Sequence, residues 1–250
     1  MKYHRFNLFK GVCALNLLAR DATNAKEVAE AVGGHLAIGV MVKEFQDLKD
    51  AIVRVLEIKD AVGLVSVGLG AGDPSQWERV VEVAAATDPG HVNQVFPAAA
   101  YTVGYLKAKG LRENIVNALV SPSGRIGEVV ISTGPRSEKS RPALVQAETA
   151  AAMLREVGVS SVKFFPAGGD SRMEEVKAMA QAAAKAGIPI FEPTGGIDEK
   201  NIGAVVSACV EAGCQVVVPH VYTAIVDKST GLTSPAAAAA LFRELKKVLG

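Results

Sequence analysis

Eight times along the chain, an apolar run short enough for a β-strand gives way to an amphipathic stretch long enough for a helix. The strand candidates are Phe6–Ala14, Leu36–Val42, Val62–Val67, Val92–Phe96, Ile115–Val120, Ser161–Phe165, Ile188–Phe191 and Val216–Pro219. Helices are expected to begin near Asp21 (with Thr23 and Asn24 as caps), Glu44, Asp73-Pro74, Ala98, Pro142, Arg172, Asp198 and Ser234-Pro235. Several of these positions carry residues that cap a helix or preset its first turn. Strand–helix alternation specifies a parallel sheet covered by helices. An open doubly wound sheet normally carries fewer units, so the expectation is an α/β fold of the closed (β/α)8 TIM-barrel type. A chain of 250 residues is the usual size for one such domain, here spanning 1–250. The rhythm breaks once, after strand five. There 121–127 reads as a turn, 128–132 as a short extra strand and 133–141 as an inserted polar loop. Loops of that length are usually functional or mobile.

Charge and composition remove several classes of function. A formal net charge of +1 offers no basic face for nucleic acid and no acidic tail. No apolar run approaches the roughly 20 residues of a membrane helix. The apolar N-terminal stretch is broken by Asn7, Lys10 and Asn16 and lacks a cleavage site, so it is read as the first strand rather than a signal peptide. Cys13, Cys209 and Cys214 are odd in number and not spaced as zinc ligands, which points to a reduced, cytoplasmic protein. His4, His35, His91 and His220 are scattered without paired-ligand spacing, so neither a metal nor a cofactor is expected.

One residue inside this pattern is out of place. Lys163 sits in the apolar strand Ser161-Val162-Lys163-Phe164-Phe165, which stops at Pro166 and opens into Gly168-Gly169. Strands covered on both faces are near-continuous apolar runs, and an ammonium buried there must be paired or shed its proton. Burial moves a lysine below its ordinary pKa of about 10.4, and the neutral amine is a nucleophile. Lys163 is thus a candidate former of a Schiff base, with an ion-paired structural lysine as the alternative. Strand parity groups Lys163 with Ser161 and Phe165, pointing inward, and sets Phe164 against a helix.

The next strand ends Phe191-Glu192-Pro193-Thr194-Gly195-Gly196-Ile197-Asp198. Glycines at a strand-to-helix turn let backbone N–H groups approach an anion. Lys-Phe-Phe-Pro-Ala, one helix, then Pro-Thr-Gly-Gly-Ile together resemble the 2-keto-3-deoxy-6-phosphogluconate (KDPG) aldolases over residues 161–197. The resemblance implies a (β/α)8 barrel, a class I lyase whose imine with pyruvate forms on Lys163, and substrate binding by Thr194, Gly195 and Gly196. It also implies a phosphorylated keto sugar acid as substrate, and the barrel family's habit of association implies a homo-oligomer. The iminium is the electron sink for breaking C3–C4, and a base must take the C4 hydroxyl proton.

Strand two departs from that family. Laid on its pattern from Gly33-Gly34, the chain has Gly39 where the aldolases carry a glutamate and Lys43 where they carry an arginine. Lys43 retains a cation for the substrate, but as a point charge rather than a fork. The replacement bases are Glu192, ending the strand beside that of Lys163, and Glu44, whose place at a helix start has its own explanation. His220, ending strand eight, is an acid–base group, a phosphate ligand or a structural histidine. Arg136 in the inserted loop is a further cation on the same rim. The expected reaction is cleavage of 2-dehydro-3-deoxy-6-phosphogluconate to pyruvate and glyceraldehyde 3-phosphate. The alternatives are a lyase of an unphosphorylated keto acid such as 4-hydroxy-2-oxoglutarate, a phosphate-binding barrel isomerase using Glu192 and His220, and a sugar-phosphate binding protein.

Overall fold

A computed structural model describes residues 5–250, so His4 and the extreme N-terminus lie outside the described residues. In chain order the elements are β1 (Leu15–Leu18), α1 (Ala22–Ala31), β2 (Leu36–Met41), α2 (Leu48–Val62), β3 (Val65–Gly68), α3 (Trp77–Thr87), β4 (Gly90–Val95) and α4 (Phe96–Ala108). After these come β5 (Ile115–Pro122), β6 (Glu128–Val130), β7 (Leu144–Gln146), α5 (Ala147–Glu156), β8 (Ser161–Phe164), α6 (Met173–Lys185), β9 (Ile190–Pro193) and α7 (Ile202–Glu211). The chain finishes with β10 (Val216–Val217), β11 (His220–Val221) and α8 (Pro235–Leu249). The result is a parallel-strand α/β fold with a curled, TIM-barrel-like sheet, its nine strands ordered β10-β9-β8-β5-β4-β3-β2-β1-β11. Its two ends, β10 on β9 and β11 on β1, are separated in sequence only by Val218 and Pro219.

Four boundaries differ from the sequence expectation. The first strand is 15–18 rather than 6–14, because Lys10 and Gly11 both take left-handed backbone and fold Phe9 back onto Cys13 in an antiparallel bridge. The helix expected near Glu44 starts at Leu48, where the Asp47 carboxylate accepts from the Lys49 amide; Val42–Glu44 is a single 3-10 turn. The α5 helix starts at Ala147, since Pro142 precedes a second short strand, β7, that pairs with β6. The helix expected at Asp198 begins at Ile202. The first helix is capped by Asp21, whose side chain accepts from the Asn24 amide.

The outer face of the sheet packs against the helices in a continuous apolar core that includes Phe164 and Phe191, both fully buried. Inside the curl, a smaller apolar cluster of Phe6, Ala14, Ala37, Leu64, Ile115, Ile190, Val216 and Val218 fills the N-terminal end. Two residues further along five of these strands the inward positions turn polar: Asn16, Ser66, Asn117, Glu192 and His220 are all buried, while β2 has Gly39 there. That two-residue step is the pleat period of a strand, so the apolar plug and the polar layer are successive inward rows. Phe164 occupies the helix side of β8, as parity required. Phe164→Ala is expected to cost about 3–5 kcal/mol of stability, the usual range for a fully buried phenylalanine, read from urea unfolding; a loss under about 1 kcal/mol contradicts this packing.

Candidate active site

A cavity of about 330 Å³ opens at the C-terminal ends of the strands. Lys163 lies at its floor, with Ser66, Asn93, His220 and Tyr222 around it and Thr194, Gly195 and Gly196 along one wall. Leu18, Val40, Met41, Leu69, Leu119 and Phe165 make the rest of the lining largely apolar. The turns after β8 and β9 need their glycines for contact with each other. All four of Gly168, Gly169, Gly195 and Gly196 have left-handed backbone, the Gly169 amide donates to the Gly195 carbonyl at 3.2 Å, and a Cβ on Gly196 would stand 2.6 Å from the Gly169 nitrogen. Loop packing alone therefore accounts for both glycine pairs.

Beneath the cavity floor, hydrogen bonds fix nearly every proton. Lys163 pairs in register with Glu192 on β9. The Glu192 carboxylate is fully buried and receives His91 Nε2 at 2.9 Å and Ser161 Oγ on one oxygen, and Asn117 Nδ2 at 2.8 Å and His220 Nε2 at 2.6 Å on the other. Burial alone would raise this carboxyl, but the two imidazoles hold it well below the usual carboxylate range, so it is ionised. The amides of Asn16 and Asn93 both donate to Ser66 Oγ at 2.8 Å. A hydroxyl with two donors upon it has one proton to give, and that proton goes to His91 Nδ1 at 2.8 Å. His91 therefore donates to Glu192 through Nε2–H.

His220 is oriented by the same carboxylate. With its Nε2 proton on Glu192, Nδ1 is a free acceptor facing the cavity, 3.3 Å from Lys163 Nζ and 3.3 Å from Tyr222 Oη. Burial, reinforced by the nearby Lys163 charge, pushes the imidazole down to about 3, so it is neutral, with Nδ1 unprotonated on the cavity side. Lys163 donates to Asn93 Oδ1 at 3.0 Å. Its burial pulls it from 10.5 down to about 8, with the Glu192 charge working in the opposite direction. The arrangement is a neutral-prone amine beside a fixed proton acceptor in an apolar cavity, suited to attack on a carbonyl followed by proton transfer.

Of the residues singled out in the sequence, Lys163, His220, Thr194, Gly195 and Gly196 meet at this cavity. Glu192 lies directly behind it, with both oxygens already occupied by donors. The other three are elsewhere. Lys43 is exposed and paired with Asp73 at 2.9 Å. Glu44 is exposed on the 3-10 turn, which aims it at solvent. Arg136 lines a separate groove with Trp77, Pro97 and Tyr101, because β6 and β7 carry its loop away from the cavity. The residues that sequence reasoning missed are Asn16, Ser66, His91, Asn93, Asn117, Ser161 and Tyr222. Their signal was a polar residue at every second place of a buried strand, as in His91-Val92-Asn93.

Residues 9–229 match the family described as KDGP aldolase. A protein of Salmonella typhimurium (strain 14028s / SGSC 2262) named 2-dehydro-3-deoxy-phosphogluconate aldolase is 43% identical over 231 residues, covering 92% of this chain and 94% of that protein. Among solved structures, thiamine phosphate pyrophosphorylase from Pyrococcus furiosus aligns with a TM-score of 0.59 at 14% identity over 96% of this chain and 98% of its own. A 3-hexulose-6-phosphate synthase aligns with a TM-score of 0.56 at 19% identity over 92% and 99%. At such identities these two structures carry the fold alone.

The electrostatics of the lysine can be read directly. Amine labelling of Lys163, followed by peptide mass spectrometry across pH, is expected to rise with a midpoint near 8, well below that of an ordinary lysine. Because the Glu192 charge holds that value up, Glu192→Gln is expected to move the midpoint lower still; a midpoint above 10 in the wild-type protein contradicts the buried geometry.

Proposed function

The chain belongs to the KDGP aldolase family, and from that premise we propose that it cleaves 2-dehydro-3-deoxy-6-phosphogluconate to pyruvate and glyceraldehyde 3-phosphate through a Schiff base on Lys163. That it is an aldolase, an aldehyde-lyase acting on a small keto acid, follows from the family; the substrate and the imine are the reading offered here. The observation that carries the imine is Lys163 at the floor of an apolar cavity with its amine brought down to about 8. At neutral pH roughly a tenth of such an amine is free to attack C2 of the keto acid. Loss of water leaves an iminium, which draws the electrons of the C3–C4 bond as it breaks.

His220 is the proton acceptor in this scheme and Glu192 its positioning residue. That assignment moves the base from Glu192, whose four donors leave no room for another proton, to Nδ1 of His220. Nδ1 takes the C4 hydroxyl proton during cleavage and returns one to C3 of the enamine. Glu44, exposed and off the cavity, has no part in it. Pro219 and Val218 join β10 to β11, and we read these two short strands as the split eighth strand that closes one (β/α)8 barrel domain. The three cysteines are all buried free thiols, which supports a reducing, cytoplasmic setting.

An unphosphorylated keto acid is the second reading. Among the described residues, Lys163 is the one lysine or arginine lining the cavity, so a phosphate there meets the Gly195-Gly196 backbone but no guanidinium or second ammonium. The ratio of kcat/KM for the phosphorylated acid to that for 4-hydroxy-2-oxoglutarate distinguishes the two.

Borohydride reduction in the presence of pyruvate is expected to place a reduced pyruvyl group on the peptide containing Lys163, and Lys163→Met is expected to abolish both adduct and cleavage. An adduct on another lysine, or activity in the variant, sinks the mechanism. The base is tested separately by exchange of the pyruvate methyl protons with deuterated water. His220→Asn is expected to slow exchange by about 10²–10⁴-fold, the usual loss of a general base, while Glu44→Gln exchanges at the wild-type rate. Exchange unaffected in His220→Asn removes the histidine from this role.

A further inference from the structure

We propose that the phenol of Tyr222 is a second proton carrier of this site, working in series with His220 to deliver protons from the Lys163 nitrogen to the ketone oxygen that leaves as water, a role that rests on the Schiff-base reading above. Tyr222 follows β11 by one residue, and its ring forms part of the cavity wall beside Lys163. Its Oη lies 3.3 Å from His220 Nδ1, which lies 3.3 Å from Lys163 Nζ. Nδ1 of His220 is thus within reach of both the Lys163 nitrogen and the Tyr222 oxygen. At rest the phenol gives its proton to Asn16 Oδ1 at 3.1 Å, leaving its oxygen lone pairs toward Nδ1.

The place of this oxygen is reserved by a glycine. A Cβ added to Gly39 would stand 2.9 Å from Tyr222 Oη and 3.0 Å from Leu18 Cδ2. Gly39 has ordinary strand backbone, so its lack of a side chain answers to the space above it and not to its own conformation. The hydroxyl occupies the volume into which any strand-two side chain at this position would project.

The proton count of imine formation gives the phenol its task. The Lys163 ammonium holds three protons; the iminium keeps one, and the ketone oxygen departs with the other two as water. His220 Nδ1 takes a proton from Nζ, freeing the lone pair that forms the N–C2 bond as the carbonyl π pair moves onto oxygen. That oxygen takes the phenol proton, and the imidazolium restores it to Oη through the 3.3 Å contact. A second passage by the same route removes the proton left on nitrogen and protonates the hydroxyl, whose C–O bond breaks as nitrogen forms the double bond. No external acid enters, and His220 and Tyr222 end as they began. Burial raises the phenol above its ordinary pKa, with the Glu192 charge adding to it, which keeps the hydroxyl protonated between transfers.

The experiment is single-turnover borohydride trapping of pyruvate on Lys163 in the wild-type protein, Tyr222→Phe, Gly39→Ala and the double variant. Tyr222→Phe is expected to lower the saturating trapping rate by about 10²-fold or more, the scale of a general acid–base group, while shifting the half-saturating pyruvate concentration less than about threefold. Gly39→Ala, by displacing the hydroxyl, is expected to slow trapping as well, and in the Tyr222→Phe background to add little. A trapping rate in Tyr222→Phe within about threefold of wild type, or a loss confined to half-saturation, overturns the role of the phenol and leaves the imine standing. Failure of the wild-type protein to form any adduct at Lys163 overturns the Schiff base, and the relay with it.

Discussion

The buried charge of Glu192 is the constraint on which the rest of the site depends. An ionised carboxylate without solvent must collect hydrogen-bond donors or it costs several kcal/mol. The four it collects come from four strands: His91 on β4, Asn117 on β5, Ser161 on β8 and His220 on β11. A one-residue slip in any of these strands would turn its donor into the helix layer and leave the charge underfilled. Register, which for most sheets is set by apolar patterning alone, is here also pinned from the inside by a single anion. The satellite bonds carry the same restraint outward, since Ser66 and Asn93 on β3 and β4 fix His91 and Asn117 in turn.

The carboxylate also sets how the cavity above it behaves. It sits opposite Lys163 in the β8–β9 pairing and moderates the loss of solvation that drives the amine toward neutrality. With the amine near 8, a modest population of it is free at neutral pH. Glu192 does a second thing with its other oxygen. By accepting from the Nε2–H of His220 it leaves Nδ1 as the unprotonated atom on the cavity side, in the manner of a carboxylate orienting an imidazole. One buried anion thus sets the charge balance of Lys163 and the orientation of His220.

Much of this was open to a reader of the sequence, and the limits of that reading have physical causes. The strand–helix alternation is carried by local periodicity, and so it survives without any knowledge of contacts. Lys163 stood out because a charge in an apolar strand is a local anomaly, and parity alone put Phe164 on the helix side. The first strand was misplaced because an apolar stretch was followed through Lys10-Gly11, where left-handed backbone turns the chain back. Lys43, Glu44 and Arg136 were drawn into the site by chain distance from strand ends, whereas the 3-10 turn and the β6–β7 ribbon carry them off it. The network of Asn16, Ser66, His91, Asn93 and Asn117 went unseen for a different reason. Within its own strand none of them signals a partner, and only the register between strands joins them into one network around the carboxylate.

The departure at Gly39 acquires a physical sense in this setting. In the aldolases that the sequence resembles, strand two supplies a carboxylate; here β2 pairs with β1 through Leu18↔Gly39 and with β3 through Gly39↔Ser66, beside the Asn16–Ser66 hydrogen bond. A glutamate at this place would meet the Tyr222 hydroxyl and would set a second anion against Glu192 within the same low-dielectric interior. A side chain on strand two at this position and the Tyr222 hydroxyl therefore exclude each other sterically. In this fold the buried anion sits on β9, and the space left above Gly39 on β2 is where the phenol stands.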